Sequence, residues 1–362
     1  MARPPSKRRR SPARRALLVA NPAAQGGRNQ ARIALAREQL DRAGIAHDFL
    51  ATAPGSGRTA ALVREALSAR ACRLVIAMGG DGTLSEVARG LMASGRAREI
   101  PLGLLPTGTA NDLGRSFGLT CGGGPEIERN VAVLAAGAET DLDAGLLFTL
   151  DENGEEAQQE LFVDSVGFGL GPRILRQRNQ ERRWVEGIPL VRELYRGQLV
   201  YAASALRALG ESYLVDDKFD VEVVADGVRR SWKGLNDLVV KGPRIYAGHW
   251  VLDPHSKPDD GRFEVVPFAG RRDWLSKALL FLDHTGTFGE DLEELGVRHS
   301  RGLSAARLEL ALRPRRPGAH IPAQVDGEEH CSVTRVRVEV LPRALRLVVP
   351  GGAAGRPRAA QT

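Results

Sequence analysis

The sequence predicts an α/β domain followed by an all-β domain, and three observations support this division. Between residues 16 and 140, short apolar runs alternate with segments whose apolar residues recur at helical spacing. After about residue 140, the apolar runs become short and largely alternating. Several of these later runs are joined by Asp-Gly or glycine-rich turns. The first pattern favours a parallel sheet with helices on its faces, and the second favours an antiparallel sheet or sandwich.

In the first domain, four apolar runs each precede a helical segment. The first of these segments ends at a glycine, which is a common helix stop. Ligands of such sheets bind beyond the carboxyl ends of the strands, so the loops at that edge are candidate binding loops. The predicted strands are ALLVANP (16–22), IAHDFLATA (45–53), CRLVIAM (72–78) and PLGLLP (101–106), and the predicted helices cover 28–44, 58–70, 84–95 and 110–118.

The second domain is predicted to be built from short strands with two helical interruptions. The helical stretches are expected near 170–209 and at 272–284. No low-complexity linker separates the two domains, so we expect them to be held close together. The predicted strands lie in ELFVDSVGFG (160–169), KFDVEVVADGVRRSWKG (218–234), DLVVKG (237–242), GRFEVVPF (261–268), ARLELALR (306–313) and RVRVEVLPRALRLVV (335–349).

The composition is that of an ordinary soluble chain with enough material for two domains. Hydrophobic residues make up 43% and charged residues 26% of the 362 residues. No apolar run approaches the roughly 18 residues that a membrane-spanning helix needs. Three scattered cysteines without metal-ligand spacing favour a reducing cytoplasm over a disulfide framework.

The net charge of +7 comes from the first residues of the chain. Residues 1–15 carry seven Lys or Arg and no acid, and the remaining 44 basic residues equal the 44 acidic ones. We therefore expect a disordered basic tail on a formally neutral body. The tail could be a polybasic tether for anionic lipid or a solubilising end, and the second interpretation is slightly favoured. The body has no basic stripe with aromatic residues, so nucleic-acid binding is not expected.

Three glycine-rich loops lie at the predicted binding edge of the sheet. They are NPAAQGGR (21–28), GGDGT (79–83) and PTGTAND (106–112). Each bares backbone N–H groups near a helix start, which makes a site for phosphate oxygens. Asp81 would repel a phosphate, so a divalent cation or a water is expected between them. Other nucleotide motifs are missing: the sequence has no G-x-x-x-x-G-K-[ST], and GFGLG (167–171) has no βαβ context.

These motifs resemble the catalytic domain shared by diacylglycerol kinases and their bacterial lipid-kinase relatives, within a superfamily that includes sphingosine kinases. GGDGT followed by PTGTANDLGRS (106–116), and preceded by NP…GG, has the order and spacing of that family. Two later segments, GHWVLDPHSKPDDGRFEV (248–265) and QVDGEE (324–329), resemble its segment ending in Asp-Gly before a strand and its late Asp-Gly-Glu. The likeness spans about residues 16–350.

The resemblance implies a three-layer α/β domain of the NAD-kinase or Rossmann type and a C-terminal β-sandwich, with the active site in the cleft between them. The nucleotide domain would span 16–140, with 341–350 returning to it. The lipid-substrate sandwich would span 141–340, and residues 351–362 would form a flexible tail.

The resemblance also implies an activity: transfer of the γ-phosphoryl group of ATP to a lipid hydroxyl, of diacylglycerol or a related alcohol, with Mg²⁺ as cofactor. Glu328 matches the proton acceptor, and Asp81 is the second catalytic candidate. Asp260 matches a magnesium-binding carboxylate, with backbone oxygens of Lys257 and Arg262 as co-ligands. The implied ATP-binding residues are Asn21, Thr52, Gly79, Gly80, Asp81, Gly82, Thr83, Leu84, Ser85 and Thr109.

Two departures from the family pattern qualify this assignment. The family usually has asparagine in the strand motif where this chain has Asp164, and the first loop lacks the common Ser-Gly after Asn-Pro. Without the resemblance, Asp260-Gly261 and Asp326-Gly327 would be assigned as ordinary hairpin turns, and Glu328 as a solvated strand residue.

Several alternatives therefore stay open. An NAD kinase shares the GGDGT loop, although PTGTANDLGRS argues against it, and a lipid-binding protein could retain a kinase scaffold without activity. We expect a lipid substrate and peripheral contact with a membrane surface from the cytoplasm. The oligomeric state is open, with a homodimer as one option.

Overall fold

The computed structural model of the chain describes residues 15–151, 153–177, 218–246, 250–251, 253, 256–270, 273 and 302–351. In this structure an N-terminal α/β domain is followed by a C-terminal β-sandwich, which confirms the predicted fold class. Of the two predicted tails, residues 1–14 and 352–362 lie outside the described residues. Arg15 begins the first strand, and Gly351 lies in a turn. Of the two predicted helical stretches, residues 170–177 are helical and Asp273 is in a helix, and the rest lies outside the described residues.

The α/β domain is a parallel sheet with helices on both faces. The strand order is β2-β1-β3-β4, and all three of these pairings are parallel. Side chains of β1 alternate between two apolar clusters, with Leu17 and Val19 on one face and Leu18 on the other. The elements are β1 (Arg15–Ala20), a 3-10 turn (Ala24–Gly27), α1 (Asn29–Arg42), β2 (His47–Ala51), α2 (Arg58–Ala69), β3 (Cys72–Gly79), α3 (Asp81–Ala93), β4 (Leu102–Pro106), α4 (Asp112–Ser116) and α5 (Pro125–Ala136).

Helix α5 is absent from the elements predicted above. Its apolar residues Ile127, Val131 and Leu134 recur at helical spacing and pack beneath the sheet with α1. Pro125 occupies the first turn, and Gly137, with φ of 66°, ends the helix. The proline at the start of the helix and the glycine at its end are both visible in the sequence.

The parallel sheet continues directly into the second domain. The remaining strands of the chain are β5 (Glu139–Leu150), β6 (Glu156–Phe162), β7 (Ser165–Gly169), β8 (Phe219–Ala225), β9 (Val228–Leu235), β10 (Asp237–Lys241), β11 (Ile245–Tyr246), β12 (Trp250–Val251), β13 (Phe263–Phe268), β14 (Leu303–Ala305), β15 (Arg307–Pro314), β16 (Ala323–Val325), β17 (Glu328–His330) and β18 (Arg335–Val348). Strand β18 pairs with β4 at Leu347 and Leu102, and it pairs along most of its length with β5. The predicted boundary at 140/141 therefore falls inside β5, because this strand pairs with β18 from one domain into the other. Among the described residues, the resulting sheet has ten strands, ordered β2-β1-β3-β4-β18-β15-β8-β9, with β5 beside β18 and β6 beside β5.

A second sheet of six described strands, ordered β14-β13-β10-β7-β16-β17, packs on the first and completes the sandwich. Large aromatic side chains from both sheets fill the space between them, and the rings of Phe162 and Phe263 lie 5.1 Å apart.

None of the helices that the structure describes combines the length and the apolar character that a bilayer crossing requires.

Candidate active site

Two adjoining cavities lie between the carboxyl edge of the parallel strands and the second sheet, and we call them together the cleft. One has a volume of about 410 Å³ and the other, which extends toward α2, about 720 Å³. Both domains contribute to the lining. Residues that line both cavities are Asn21, Gly80, Gly82, Thr83 and Glu328.

One side of the cleft is formed by residues 79–83 and 106–112, which we call the loop wall. Its two loops touch backbone to backbone, since a Cβ atom added to Gly108 would collide with the Cα atom of Gly80. The N–H groups of Thr107 and Gly108 donate to the Gly79 carbonyl at 2.9 and 3.2 Å. Part of the glycine content is thus explained by the close approach of the two loops to each other.

Asp81 joins the two loops through its side chain. Its two carboxylate oxygens accept the backbone N–H groups of Asn111 and Asp112, each at 2.9 Å. Asn111, with φ of 55°, turns the chain so that both N–H groups point toward the carboxylate. Burial raises the pKa of Asp81, and the two N–H groups oppose that rise. The acid inside the glycine loop therefore has a structural task in addition to its position on the cleft.

The other side of the cleft is formed by residues 163–165 and 324–328, which we call the sandwich wall. At its centre is Asp326, which is 2% exposed and lies in a tight turn where both Asp326 and Gly327 have positive φ. Its carboxylate accepts the N–H groups of Val163 at 3.0 Å and Asp164 at 2.8 Å. It also accepts the Ser85 hydroxyl of α3 at 2.6 Å, and so ties the sandwich to the α/β domain.

Glu328 follows this turn directly and faces the glycine loop. A Cβ atom added to Gly82 would lie 2.7 Å from Glu328 Oε1, so the carboxylate rests on the backbone of the phosphate loop. The absence of a side chain at Gly82 is what makes room for it. A carboxylate from the sandwich and a bare loop from the α/β domain thus meet at one point of the cleft.

A chain of polar side-chain contacts holds strand β17 in place. Arg89 of α3 forms an ion pair with Glu160 of β6 at 2.8 Å, and the other oxygen of Glu160 lies 3.4 Å from the His330 ring. His330 is two residues beyond Glu328 on the same strand. These contacts therefore restrain the strand that carries Glu328.

Asp164, in the sandwich wall, and Lys241, on β10, are two buried ionisable residues that interact electrostatically. Asp164 is 7% exposed and lines the smaller cavity, and Lys241 is fully buried. Burial and the nearby Asp112 raise the pKa of Asp164 well above its ordinary value, and Lys241 opposes that rise. Burial lowers the pKa of Lys241 to about 8, with Asp164 as the main opposing influence.

Most of the predicted nucleotide residues converge on the cleft. Thr109 lines the smaller cavity, and Thr52 lines the larger one. Ser85 also lines the larger cavity, although its hydroxyl donates to Asp326. The cleft-lining members of the predicted set are Asn21, Thr52, Gly79, Gly80, Asp81, Gly82, Thr83, Ser85, Thr109 and Glu328.

Leu84 is a correction to the predicted set. Its side chain is 8% exposed and belongs to the apolar cluster between α3 and the sheet, with Val87 and Leu91. The helix begins at Asp81, so the fourth residue of α3 already points toward the core. Its contribution to the site is structural.

The predicted metal-binding loop lies apart from the cleft. Asp260 and Lys257 are exposed, and none of Lys257, Asp260 and Arg262 lines either cavity. Asp260 Oδ1 accepts the N–H of Arg262 at 3.0 Å. The N–H of Gly261 donates to Asp143 at 2.6 Å, which anchors this loop on β5. The structure thus does not bring the Asp260 loop together with Asp81 and Glu328.

Sequence reasoning missed several residues that the structure places at the site. Asp326 and Asp112 were not among the predicted site residues, yet both line the cleft. Gln324 and Tyr246 also line the smaller cavity. The Asp-Gly-Glu segment was the available signal for Asp326. The other positions depend on strand pairing, which the pattern of residues alone does not give.

The fold and the cleft together define a class: two-domain proteins in which an α/β domain with phosphate-type glycine loops faces an acidic residue of a β-sandwich. The family model of the diacylglycerol kinase catalytic domain matches residues 15–147 of this chain. The family model of the YegS C-terminal NAD kinase β-sandwich-like domain matches residues 185–349. The chain belongs to the diacylglycerol kinase catalytic-domain family, and within it to the YegS-like lipid kinases.

Individual relatives agree with this assignment. A probable lipid kinase YegS-like of Pseudomonas aeruginosa is 30% identical over 293 residues, which are 80% of this chain and 81% of the relative. Diacylglycerol kinase 1 of Arabidopsis thaliana is 25% identical over 72% of this chain and 36% of its own length. A crystal structure of a diacylglycerol kinase from Bacillus anthracis covers 94% of this chain and 98% of its own, with a TM-score of 0.65 and 18% identity, and it supports the fold.

Proposed function

We propose that this protein transfers the γ-phosphoryl group of ATP to the hydroxyl of a lipid alcohol, of which diacylglycerol is one candidate. The observation that carries the proposal is the position of Glu328 Oε1, 2.7 Å from the point where a Cβ of Gly82 would be. A carboxylate from the second domain thus lies against the loop that would cradle the phosphates. Family membership and the named relatives support the same class of reaction.

In this proposal the two walls have separate tasks. The loop wall offers backbone N–H groups and the Thr83 and Thr109 side chains to the triphosphate. Glu328 accepts the proton of the lipid hydroxyl while the new phosphate ester bond forms. Catalysis of phosphoryl transfer consists mainly of positioning the reactants and neutralising charge on the transferred group. The loop wall would position the phosphates, and Glu328 would position the lipid hydroxyl.

A magnesium ion would complete the proposed site, and the residues of the cleft fit it. Asp81 and Asp112 both line the smaller cavity, and Mg²⁺ prefers few carboxylate ligands together with waters and phosphate oxygens. Within the described part of the chain, no group of three or more His, Cys, Asp or Glu is placed to hold a metal ion by itself. When bound, the ion would neutralise charge on the phosphates.

Two alternatives are less well supported. An NAD kinase would share the fold. However, the family model that matches the first domain is that of diacylglycerol kinases, and the relatives named above are lipid and diacylglycerol kinases. A non-catalytic lipid-binding protein is disfavoured because Asp81, Asp326 and Glu328 all lie in the cleft with well-defined contacts.

The decisive experiment measures transfer of labelled phosphate from ATP to diacylglycerol in mixed micelles. Glu328→Gln should lower kcat by about a hundredfold or more while leaving ATP binding close to that of the wild type, because only the proton acceptor is lost. Glu309→Gln, at an exposed position of strand β15, is the matched control and should not change the rate. Equal activity of Glu328→Gln and wild type would remove the proposed base. NADP formation without any lipid product would establish the NAD kinase instead.

A further inference from the structure

Strand β17, which carries Glu328, has little support from its backbone. It is three residues long and lies at the edge of the second sheet, where β16 is its one hydrogen-bonded neighbour among the described strands. A short segment with few backbone partners opens or shifts easily unless side chains restrain it. The position of the proposed base therefore depends on the contacts that the residues around it make.

The turn before Glu328 is held by helix α3. Ser85 of this helix donates to Asp326 at 2.6 Å, and Asp326 lies two residues before Glu328. The same helix begins at the loop wall, since Asp81 is its first residue. One helix thus connects the loop that would hold the phosphates with the turn that leads to the base.

Helix α3 also reaches the other side of Glu328, through three side chains that we call the bridge: Arg89, Glu160 and His330. Arg89 lies one helical turn after Ser85. Its Nη1 atom is 2.8 Å from Glu160 Oε1, and Glu160 Oε2 is 3.4 Å from Nε2 of His330. His330 lies two residues after Glu328, so α3 restrains the chain on both sides of the carboxylate.

The bridge is more enclosed than the other ion pair of this strand. The side chains of Arg89 and His330 are 16% and 9% exposed, whereas Glu329 and its partner Arg176 are 33% and 39% exposed and lie 3.5 Å apart. Exposed ion pairs contribute little, so the bridge is the stronger restraint. The Nε and Nη2 atoms of Arg89 are buried without a hydrogen-bond partner among the described residues, which leaves Glu160 to hold this cation in place.

We propose that Glu160 is a positioning residue, which acts through His330 to hold the Glu328 carboxylate against the phosphate loop. This inference rests on the proposed lipid kinase function, in which Glu328 accepts the proton of the lipid hydroxyl. A base must lie within hydrogen-bond reach of that proton, and a displacement of about 1 Å can lower a rate by about a hundredfold. Loss of the bridge should therefore lower kcat more than it weakens ATP binding.

The test measures phosphate transfer from ATP in mixed micelles, with diacylglycerol and, in separate assays, a long-chain primary alcohol as acceptors. Glu160→Leu should lower kcat about tenfold or more and leave KM for ATP within about twofold of the wild type. Glu160→Gln should retain most of the rate, because its amide oxygen can accept from Arg89 while its NH₂ group faces His330. Asp141→Asn is the matched control, since Asp141 pairs with Arg98 of the α/β domain at 2.5 Å but lines neither cavity.

The Glu328→Gln variant provides the background that separates positioning from general support. If Glu160 acts through Glu328, adding Glu160→Leu to a protein that already lacks the base should change kcat by less than about twofold. A residue that only stabilises the cleft would lower kcat in both backgrounds. A further tenfold fall, about as large as that in the wild-type background, would therefore overturn the inference.

A second variant covers the case in which Glu160→Leu fails to fold because Arg89 is left unpaired. His330→Leu breaks the bridge at β17, keeps the Arg89–Glu160 ion pair, and should lower kcat in the wild-type background but not in Glu328→Gln.

The outcomes distinguish this inference from the function on which it depends. Wild-type kcat in both Glu160→Leu and His330→Leu, together with an impaired Glu328→Gln, overturns the role of the bridge and leaves a lipid kinase. Absence of phosphorylation of both acceptors by the wild type, or an unimpaired Glu328→Gln, overturns the proposed function itself and this inference with it.

Discussion

The two walls of the cleft are held in place by different parts of the chain. In the loop wall, backbone touches backbone at Gly80 and Gly108, and Asp81 adds side-chain bonds to neighbouring N–H groups. In the sandwich wall, one carboxylate, Asp326, gathers the N–H groups of the β6–β7 bend and the Ser85 hydroxyl of the other domain. The loop wall therefore depends on glycines, which lack a side chain, at positions 80 and 108. The sandwich wall depends on the Asp326 carboxylate.

This difference has a consequence for substitution. Adding a single methyl group at Gly108 should damage the loop wall, because its nearest neighbour is the Gly80 backbone and not a side chain that could move aside. The sandwich wall should instead be sensitive to the loss of one charge, because several donors converge on the same carboxylate. Each wall can thus be perturbed by a change that the other would tolerate.

Gly108→Ala should have the largest effect. The added Cβ atom would collide with the Gly80 backbone, and backbone contacts cannot relax by a change of rotamer. We expect a loss of about 3 kcal/mol in the free energy of unfolding and a fall in ATP affinity, since the two loops are forced apart. Urea denaturation and equilibrium binding of ATP measure the two effects.

Gly351→Ala is the control for that change, because a Cβ atom there meets nothing within 4 Å. It should leave both stability and ATP binding unchanged. If Gly108→Ala behaves like Gly351→Ala, the close packing of the two loops is not what shapes the loop wall.

Asp326→Asn should have the next largest effect. One of the two oxygens becomes an NH₂ group, which would face donors such as the Ser85 hydroxyl or the Val163 N–H. The expected cost is about 2 kcal/mol in the free energy of unfolding. Because Glu328 follows the same turn, kcat for lipid phosphorylation should fall as well.

Asp226→Asn provides a matched comparison for the sandwich wall. Asp226 also precedes a glycine in a tight turn with positive φ, and it accepts the N–H groups of Ala306 and Arg307 at 3.0 and 2.9 Å. Its replacement should lower stability without changing kcat. A fall in kcat of similar size in both variants would mean that kcat reports general loosening of the sandwich and not the position of Glu328.

The same contrast explains how much of the site could be predicted from the sequence. The loop wall is local: each loop follows its strand directly, and glycines and Asp81 mark it within a few residues. The fold class followed from strand and helix periodicity in the same way. The identity of the acidic partner, Glu328, required the resemblance to a family, because a glutamate after an Asp-Gly turn is by itself an ordinary strand residue.

The rest of the sandwich wall was out of reach for a physical reason. Asp164, Lys241 and Asp326 are far apart in the sequence and become neighbours only because β7 pairs with both β10 and β16. Strand order and register depend on packing across the whole sandwich, and no local pattern encodes them. Two similar Asp-Gly pairs show that local sequence does not distinguish such positions. Asp260 is exposed on a loop outside the cleft, whereas Asp326 is buried and lines the cleft.

The smallest expected effect concerns the acids buried in the second sheet. Burial raises the pKa of Asp237, on β10 behind the sandwich wall, to about 7, although N–H groups of Gly171 and Leu238 oppose the rise. A folded-state pKa above the unfolded value of 3.8 means that the folded protein binds the proton more tightly. Its contribution to stability is therefore complete below the unfolded value and is lost as the pH rises through about 7.

Asp237→Asn should remove this part of the pH dependence, because the amide resembles the neutral acid at every pH. We expect the free energy of unfolding of the wild type to fall by roughly 1 kcal/mol more than that of the variant between about pH 6 and pH 7. Urea denaturation across that range measures the difference. Glu264, whose pKa burial raises to about 7 as well, should leave a residual slope of the same sign in the variant. Parallel pH profiles for wild type and variant would show that Asp237 makes no contribution to the pH dependence of stability.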